Sequence, residues 1–214
     1  MYKFFSIVFL FLMFGAFGQV YAQTDTASKN EAAIAASIKL NKYDSTLKIG
    51  KYGYRVTCTN RSLTQNPISI KPIGFKAEAR EINLELKARI ISSEVEFLNN
   101  DEFPDLLIYI LESSGKKNLF CVSAKSDDGK QPLYMQPIYM PDITVDTKIN
   151  KGYRGGDEYE LNQGILWRTF PIYDADTTIK TPTNKVRKIF YHVVEGDRGV
   201  LTFKDFKSID YIPN

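Results

Sequence analysis

The sequence is poor in the residues that most often carry catalysis. Its 214 residues include one histidine, His192, and two cysteines, Cys58 and Cys121. A Ser-His-Asp or Cys-His device would have to use His192, and the chain contains no nucleophile-elbow motif. Because His192 lies within the strand-like segment 189–194, we predict a structural role for it. One histidine and two separated cysteines also make a poor ligand set for zinc.

An excess of charge of one sign is missing as well. The chain has 28 lysines and arginines against 25 aspartates and glutamates, a net charge of +3. Basic and acidic residues are interspersed, as in Glu78-Ala79-Arg80-Glu81, and do not gather in a basic stripe. Nucleic-acid binding needs such a stripe or patch, so we predict no nucleic-acid partner. We also predict no cofactor.

The chain begins with the features of a secretory signal peptide. Lys3 precedes an almost unbroken apolar run over 4–17, and Val20-Tyr21-Ala22 offers small residues at the cleavage-determining positions. This pattern predicts a signal peptide at 1–22 and a periplasmic or secreted protein. The apolar run is short for a membrane span and no basic cluster follows it, so we predict no membrane span after cleavage.

The mature chain has the length of one domain. Removing 22 of the 214 residues leaves 192, which suffices for an adequate core. Residues 23–42 are rich in Ala, Ser, Thr, Asn and Lys, and we predict a flexible leader there. Residues 43–214 are predicted to form a single β domain, because 13 tyrosines and 14 phenylalanines favour half-buried strands.

Period-two alternation of apolar and polar residues indicates individual strands. In segment 52–58 it places Cys58 on the same face as the apolar positions before it. In segment 82–90 the alternation is regular enough to favour a strand over a helix, although the residues there are good helix formers. The phase then shifts, which predicts a bulge or break near Ile91.

Further along the chain the pattern changes to buried strands and a hairpin. Segment Leu106–Leu111 is continuously apolar, as expected of a central strand covered on both faces. Segments 186–194 and 200–206 are joined by a short connection that contains two glycines, which is typical of a hairpin. These patterns predict an all-β fold, an antiparallel β-sandwich of about eight strands.

The two cysteines leave two alternatives open. In an oxidising compartment Cys58 and Cys121 could form a disulfide that joins two strands distant in sequence. Two small buried thiols fit the sequence equally well, because a disulfide requires a Cα separation that sequence does not reveal.

Two acidic segments have some features of chemical sites. Segment 97–105 resembles a calcium loop, but Phe97 stands where a leading acidic ligand belongs and Glu102 where a turn glycine belongs. We therefore predict a plain turn and no metal site there. The acids Asp157, Glu158 and Glu160 could be read as the carboxylates of a glycosidase. A solvated strand edge, or a turn salt-bridged by a nearby arginine, is the simpler interpretation.

The segment Gly152–Tyr173 is the most specific part of the chain. It contains Gly-Tyr-Arg-Gly-Gly-Asp-Glu-Tyr from Gly152 and Gly-Ile-Leu-Trp-Arg-Thr-Phe-Pro from Gly164. It reads as a glycine-rich loop, a short strand, a tight turn and a second strand that ends at a proline. The segment resembles one shared by the periplasmic inhibitors of I-type lysozyme (PliI-like), and the resemblance extends, in the same order, over about 43–211.

The resemblance implies a β-sandwich, often dimeric, that binds a protein and performs no catalysis. Such inhibitors insert a loop with a Ser-Gly-X-X-Tyr motif into the lysozyme cleft, where the loop meets the catalytic carboxylates. Here the corresponding loop has asparagine in place of the tyrosine. The candidate partner-binding residues are Ser114, Gly115, Lys116, Lys117, Asn118, Tyr153 and Arg154.

Other interpretations of the same residues stay open. The 114–118 loop could be an ordinary exposed turn, and Tyr153 and Arg154 could serve only to anchor the glycine-rich loop. The expected partner is a lysozyme or related muramidase, and the alternative function is an envelope glycan- or peptidoglycan-binding module without inhibitory activity. A hydrolase is the interpretation that the sequence supports least.

Overall fold

A computed structural model describes residues 42–99 and 101–213. Strands account for 57% of these described residues and their fold is nearly all β, which confirms the predicted fold class. The predicted signal peptide and, except for Lys42, the predicted leader lie outside the described residues. Two short 3₁₀ turns are the helical elements of the described ranges, at Ile143–Val145 and Asp197–Gly199. Neither is long and apolar enough to cross a membrane.

Over the described residues the strands form two sheets and number twelve, where the sequence predicts about eight. The smaller sheet contains four antiparallel strands in chain order: β1 Tyr43–Ile49, β2 Tyr52–Cys58, β3 Asn66–Ile73 and β4 Ile82–Leu86. The larger sheet contains eight strands: β5 Ala88–Glu96, β6 Asp105–Glu112, β7 Lys117–Lys125, β8 Tyr134–Tyr139, β9 Glu158–Asn162, β10 Ile165–Tyr173, β11 Pro182–Glu195 and β12 Leu201–Tyr211.

The larger sheet has the strand order β5-β6-β7-β8-β12-β11-β10-β9. Its neighbours pair antiparallel, except that β8 and β12 run parallel over two residue pairs. Strand β10 continues two residues beyond Pro171, although the sequence predicts an end there. The proline fits because β9 pairs with β10 only as far as Thr169, so the missing N–H of Pro171 removes no bond to β9.

Strand β6 is covered on both faces, as its continuous apolar sequence predicts. Leu106, Ile108 and Ile110 belong to a first core shared with the four-stranded sheet. Leu107 belongs to a second core, together with buried side chains of β10, β11 and β12. The larger sheet therefore contributes to two cores, one on each face of β6 and β7.

The alternation over 82–90 spans two strands rather than one. The chain leaves the four-stranded sheet after Leu86 and enters the larger sheet at Ala88. Leu86, Ala88 and Ile90 all face the first core, so the alternation persists although the sheet changes. The predicted irregularity near Ile91 is present as a shift of register between Ile90 and Ser92.

Both cysteines are free, buried thiols. Cys58, on β2, faces the first core with Tyr54 and Val56, whereas Cys121, on β7, faces the second. Of the two alternatives that the sequence left open, the structure thus has the unbonded one, because the two side chains belong to different cores. Burial raises the pKa of each thiol, which lowers the thiolate fraction that reacts.

Candidate functional site

The candidate loop is a tight hairpin turn between β6 and β7. The Gly115 N–H donates to the Glu112 carbonyl over 3.0 Å, and the Glu112 N–H donates to the Lys116 carbonyl over 2.9 Å. Gly115 has φ 82°, a left-handed conformation that a side chain would strain. The Ser114 hydroxyl accepts a long bond from the Lys116 N–H. The turn is closed at its base by backbone hydrogen bonds.

The polar side chains that follow the turn have partners within the domain. The Lys117 ammonium bonds the Glu158 carboxylate of β9, with an Nζ–Oε2 distance of 2.6 Å. The Asn118 amide donates to the Glu112 carboxylate over 3.0 Å. Lys116, in contrast, forms no ion pair with any residue of the described ranges. It is the cation of the hairpin that is available to a partner.

A cleft of about 430 Å³ opens beside this hairpin. Lys116 and Asn118 line one side, and the segment after β8 lines another. Most of its walls are apolar, and Arg168 and Asp142 add charges of opposite sign. The Thr144 hydroxyl and N–H both bond the Asp142 carboxylate and lower its pKa, with smaller contributions from Lys116 and Arg168. The cleft is thus an apolar groove with a few polar groups, a common composition for a binding site.

A buried polar cluster lies behind the cleft; we call it the Arg168 cluster, and it consists of Arg168, Asp157 and Tyr153. The Arg168 Nε donates to Asp157 Oδ1 over 2.6 Å, and both side chains are almost fully buried. The Tyr153 hydroxyl donates to Asp157 Oδ2 over 2.5 Å and accepts from Arg168 Nη2 over 3.1 Å. Burial, followed by the Asp157 carboxylate, raises the pKa of Tyr153 to about 12. The charges of Arg168 and Asp157 neutralise each other, as buried charges must.

The contacts of Tyr153 and Arg154 are those of anchoring residues. Tyr153 packs on Phe170 with a ring separation of 4.8 Å, in addition to its bonds in the Arg168 cluster. The Arg154 guanidinium donates to the carbonyls of Asp174, Asp176 and Ile179, at 2.7 to 3.1 Å. Arg154 therefore fixes the loop after β10, and it does not line the cleft.

The glycine-rich loop needs its first glycine for steric reasons. Gly152 has φ 79°, and a Cβ there would lie 2.8 Å from the Tyr173 carbonyl oxygen. Its own carbonyl accepts the Tyr173 N–H over 2.8 Å. The conspicuous segment from Gly152 to Tyr173 thus encodes backbone contacts and the Arg168 cluster, which position the wall of the cleft.

The three acids at 157, 158 and 160 are divided between the interior and the surface. Asp157 is buried, whereas Glu158 and Glu160 lie exposed on one face, as the alternation predicts. The salt-bridged interpretation holds, but Asp157 pairs with Arg168 and Glu158 with Lys117, rather than with the neighbouring Arg154. The sequence contained a signal for Arg168 that we missed: it occupies the apolar face of β10, between Leu166 and Phe170.

Hydrogen bonds from backbone N–H groups to side chains join the described residues on either side of position 100. The Asp101 N–H donates to the carboxamide oxygen of Asn99, and the Phe103 N–H donates to the Asp101 carboxylate. The Leu98 N–H donates to the Asp105 carboxylate. Asp105 is fully buried, and burial raises its pKa to about 7. Over residues 42–99 and 101–213, no three His, Cys, Asp or Glu side chains are placed to hold a metal ion. His192 is exposed on β11 and lies against Phe206.

Comparisons with known proteins add no relative. No protein-family model matches the chain, and neither a curated protein nor a solved structure is similar to it. The fold and the cleft define a two-core β-sandwich domain with a hairpin-flanked groove, and any function is inferred from that geometry.

Proposed function

We propose that this chain is an exported binding protein that inhibits a lysozyme or related muramidase with its β6–β7 hairpin. The observation that carries the proposal is Lys116, an exposed ammonium group that forms no direct ion pair over the described residues and lies in a hydrogen-bonded turn beside an apolar cleft. The signal-peptide pattern at 1–22 supports a periplasmic or secreted location, where such an enzyme is encountered.

The proposed inhibition is electrostatic. A glycosidase active site contains a pair of carboxyl groups in a concave cleft. Lys116, exposed in the β6–β7 turn, suits such a cleft in charge. Lys117 is held by Glu158 and Asn118 by Glu112, so the side chains around Lys116 are ordered before binding. Ordering of this kind reduces the entropy that association costs.

Two of the three acids that the sequence offers for a hydrolase are engaged in ion pairs, which favours binding over hydrolysis. A hydrolase would need one carboxyl group as acid and another as base or nucleophile. Asp157 is committed to Arg168, and Glu158 to Lys117. The resemblance to lysozyme inhibitors points to the same conclusion. Because Asn118 stands where those inhibitors have tyrosine, we expect weaker inhibition than theirs.

Inhibition constants against an I-type lysozyme test the proposal. Lys116→Ala should weaken inhibition by about 2 kcal/mol or more, roughly 30-fold, because it leaves an enzyme carboxylate unpaired. Lys117→Ala should weaken it less, since Glu158 already neutralises that ammonium. Lys48→Ala, on the four-stranded sheet, is the matched control. Strong inhibition that does not depend on Lys116 would contradict the proposal.

A further inference from the structure

The outward-facing side of β10, β11 and β12 carries an unusual set of side chains. Leu166, Ile189 and Phe203 point into the second core, so alternate positions on the same strands point to solvent. We call this surface the outer face, and it consists of Trp167, Lys188, Phe190, His192, Lys204, Phe206, Lys207, Ile209 and Tyr211.

Aromatic rings form a continuous row across the outer face. Trp167 and Phe190 are opposite each other on β10 and β11, with ring centres 5.8 Å apart. Phe190 lies 6.3 Å from Phe206, and Phe206 lies 5.3 Å from His192. Phe206 is 51% exposed, Ile209 39% and Tyr211 37%. Apolar side chains grouped in this way on a surface mark an interaction site.

Three lysines lie among these rings without an acidic partner. The Lys188 ammonium is 4.1 Å from the centre of the Trp167 ring, and the Lys207 ammonium is 5.6 Å from that of Phe190. Lys204 is exposed and pairs across the sheet with His192. Over the described ranges, none of the three lysines forms an ion pair with a carboxylate.

Acidic residues are confined to the margin of the outer face. Glu160 lies opposite Trp167 on the edge strand β9, and Glu158 is neutralised by Lys117. The centre of the face is therefore positively charged. Lys188 and Lys207 occupy diagonal positions on neighbouring strands, and such positions are about 7–8 Å apart. Several cations on one face match a ligand with repeated negative charges better than they match a single small anion.

We propose that the outer face binds an acidic polysaccharide, a chain of uronic acids or similarly charged sugars. Its carboxylates pair with Lys188, Lys204 and Lys207, and its sugar rings pack on the exposed rings of Phe206 and Tyr211. This site lies on strands other than those of the β6–β7 hairpin. It does not depend on lysozyme inhibition.

Two other anionic partners fit this face less well. Insertion into a lipid surface requires apolar side chains that are free to enter the acyl region, whereas ammonium groups lie 4.1 Å and 5.6 Å from the centres of the Trp167 and Phe190 rings here. Single-stranded nucleic acid stacks its bases on open aromatic faces, and the largest ring of the outer face, Trp167, has the Lys188 ammonium 4.1 Å from its centre. The carboxylates of a polyuronate, in contrast, pair with these same ammonium groups.

Trp167 is the only tryptophan of the chain and reports directly on this face. Titration of the full protein with polygalacturonate should change Trp167 fluorescence in a saturable way, and the affinity should fall as salt is added. Lys204→Gln/Lys207→Gln should weaken binding at least tenfold, and Phe206→Ala about threefold. Lys48→Gln/Lys71→Gln removes the same charge from exposed positions of the four-stranded sheet and should change binding less than twofold. Lys116→Ala should bind like the wild type.

Parallel titrations with dextran, a single-stranded oligonucleotide and anionic lipid vesicles complete the test. Equal losses in the two double-lysine variants would show that net charge alone attracts the polymer, and would overturn the proposal. Tighter binding of the oligonucleotide or the vesicles than of polygalacturonate would overturn it too, as would the absence of a saturable response to polygalacturonate. Melting curves of each variant separate a loss of binding from a loss of fold.

Discussion

The two cores of this domain accommodate buried polar side chains in different ways. In the first core, Asn60 exchanges two hydrogen bonds with the backbone of Ile90, and Asn66 bonds the backbone of Ala88. In the second, the Arg168 cluster buries an ion pair beside aromatic rings. A neutral amide needs only nearby backbone, whereas a buried charge needs an opposite charge from another strand. Replacing one buried polar side chain should therefore lower the free energy of unfolding more in the second core than in the first.

The largest expected effect is the loss of Arg168. Arg168→Met should destabilise the domain by about 3–5 kcal/mol, because it leaves the Asp157 carboxylate buried without its cation. Urea unfolding at neutral pH measures the difference. The double variant Asp157→Asn/Arg168→Met removes both charges and should recover part of the loss. If the double variant were less stable than Arg168→Met, the ion pair would not be the cause.

Asp105, buried at the start of β6, should make stability depend on pH. Burial is the main cause of its raised pKa of about 7, the nearby Asp101 adds to it, and the Ser123 hydroxyl and the Leu98 N–H oppose it. The folded state binds this proton more tightly than the unfolded state, whose pKa is near 3.8. The contribution of Asp105 to stability is therefore greatest below about pH 4 and is lost as the pH rises through 7.

Asp105→Asn should remove that dependence. The difference in unfolding free energy between the variant and the wild type should move in favour of the variant between pH 4 and pH 7. We expect a change on the order of 3 kcal/mol, since each unit of pKa corresponds to about 1.4 kcal/mol. Urea unfolding at a series of pH values measures it. A difference that stays constant over this range would show that Asp105 does not titrate as its burial implies.

Asn60→Ala, a change in the first core, should lower the free energy of unfolding by about 2 kcal/mol. This change leaves both the N–H and the carbonyl of Ile90 without their side-chain partner in a buried position. Asn60 also has φ 54°, a conformation that alanine adopts less readily. Thermal or urea unfolding measures the loss. A loss equal to that of Arg168→Met would remove the distinction between the two cores.

The smallest effect is expected at the surface pair of Lys117 and Glu158. Both side chains are well exposed, so Lys117→Ala should cost about 0.5 kcal/mol, and less in high salt. Unfolding at low and high salt tests this, with Lys48→Ala as a lysine that forms no such bridge. A cost above 2 kcal/mol would mean that the bridge between β7 and β9 holds the second core together.

Several elements could be predicted from the sequence because their pattern is local. Strand β2 has the predicted bounds within a residue, since alternation and the flanking polar residues define it. The hairpin of β11 and β12 was predicted too, although both strands extend further than their apolar segments indicate. Their polar ends pair with each other through backbone hydrogen bonds, which side-chain hydropathy does not report.

The candidate site was predictable only in part. The turn at Gly115 follows from residues that favour turns. The cleft beside it depends on strands β7 to β10, which are distant in sequence. The pairing of Lys117 with Glu158 leaves Lys116 as the lysine of the hairpin that forms no direct ion pair within the described part of the chain, and no local pattern distinguishes two adjacent lysines. The change of sheet at Lys87 was missed for a similar reason, because the residues on both sides of it face one core.

The sequence by itself determined the all-β class, the two-sided burial of β6 and the turn between β6 and β7, since each depends on the order of neighbouring side chains. The tertiary structure alone decided which side chains meet across strands. It placed Cys58 and Cys121 in different cores, Asp157 against Arg168, and three lysines among the rings of the outer face. The physical reason is that burial and pairing of charges depend on the approach of distant segments, whereas alternation depends only on the pleat of a single strand.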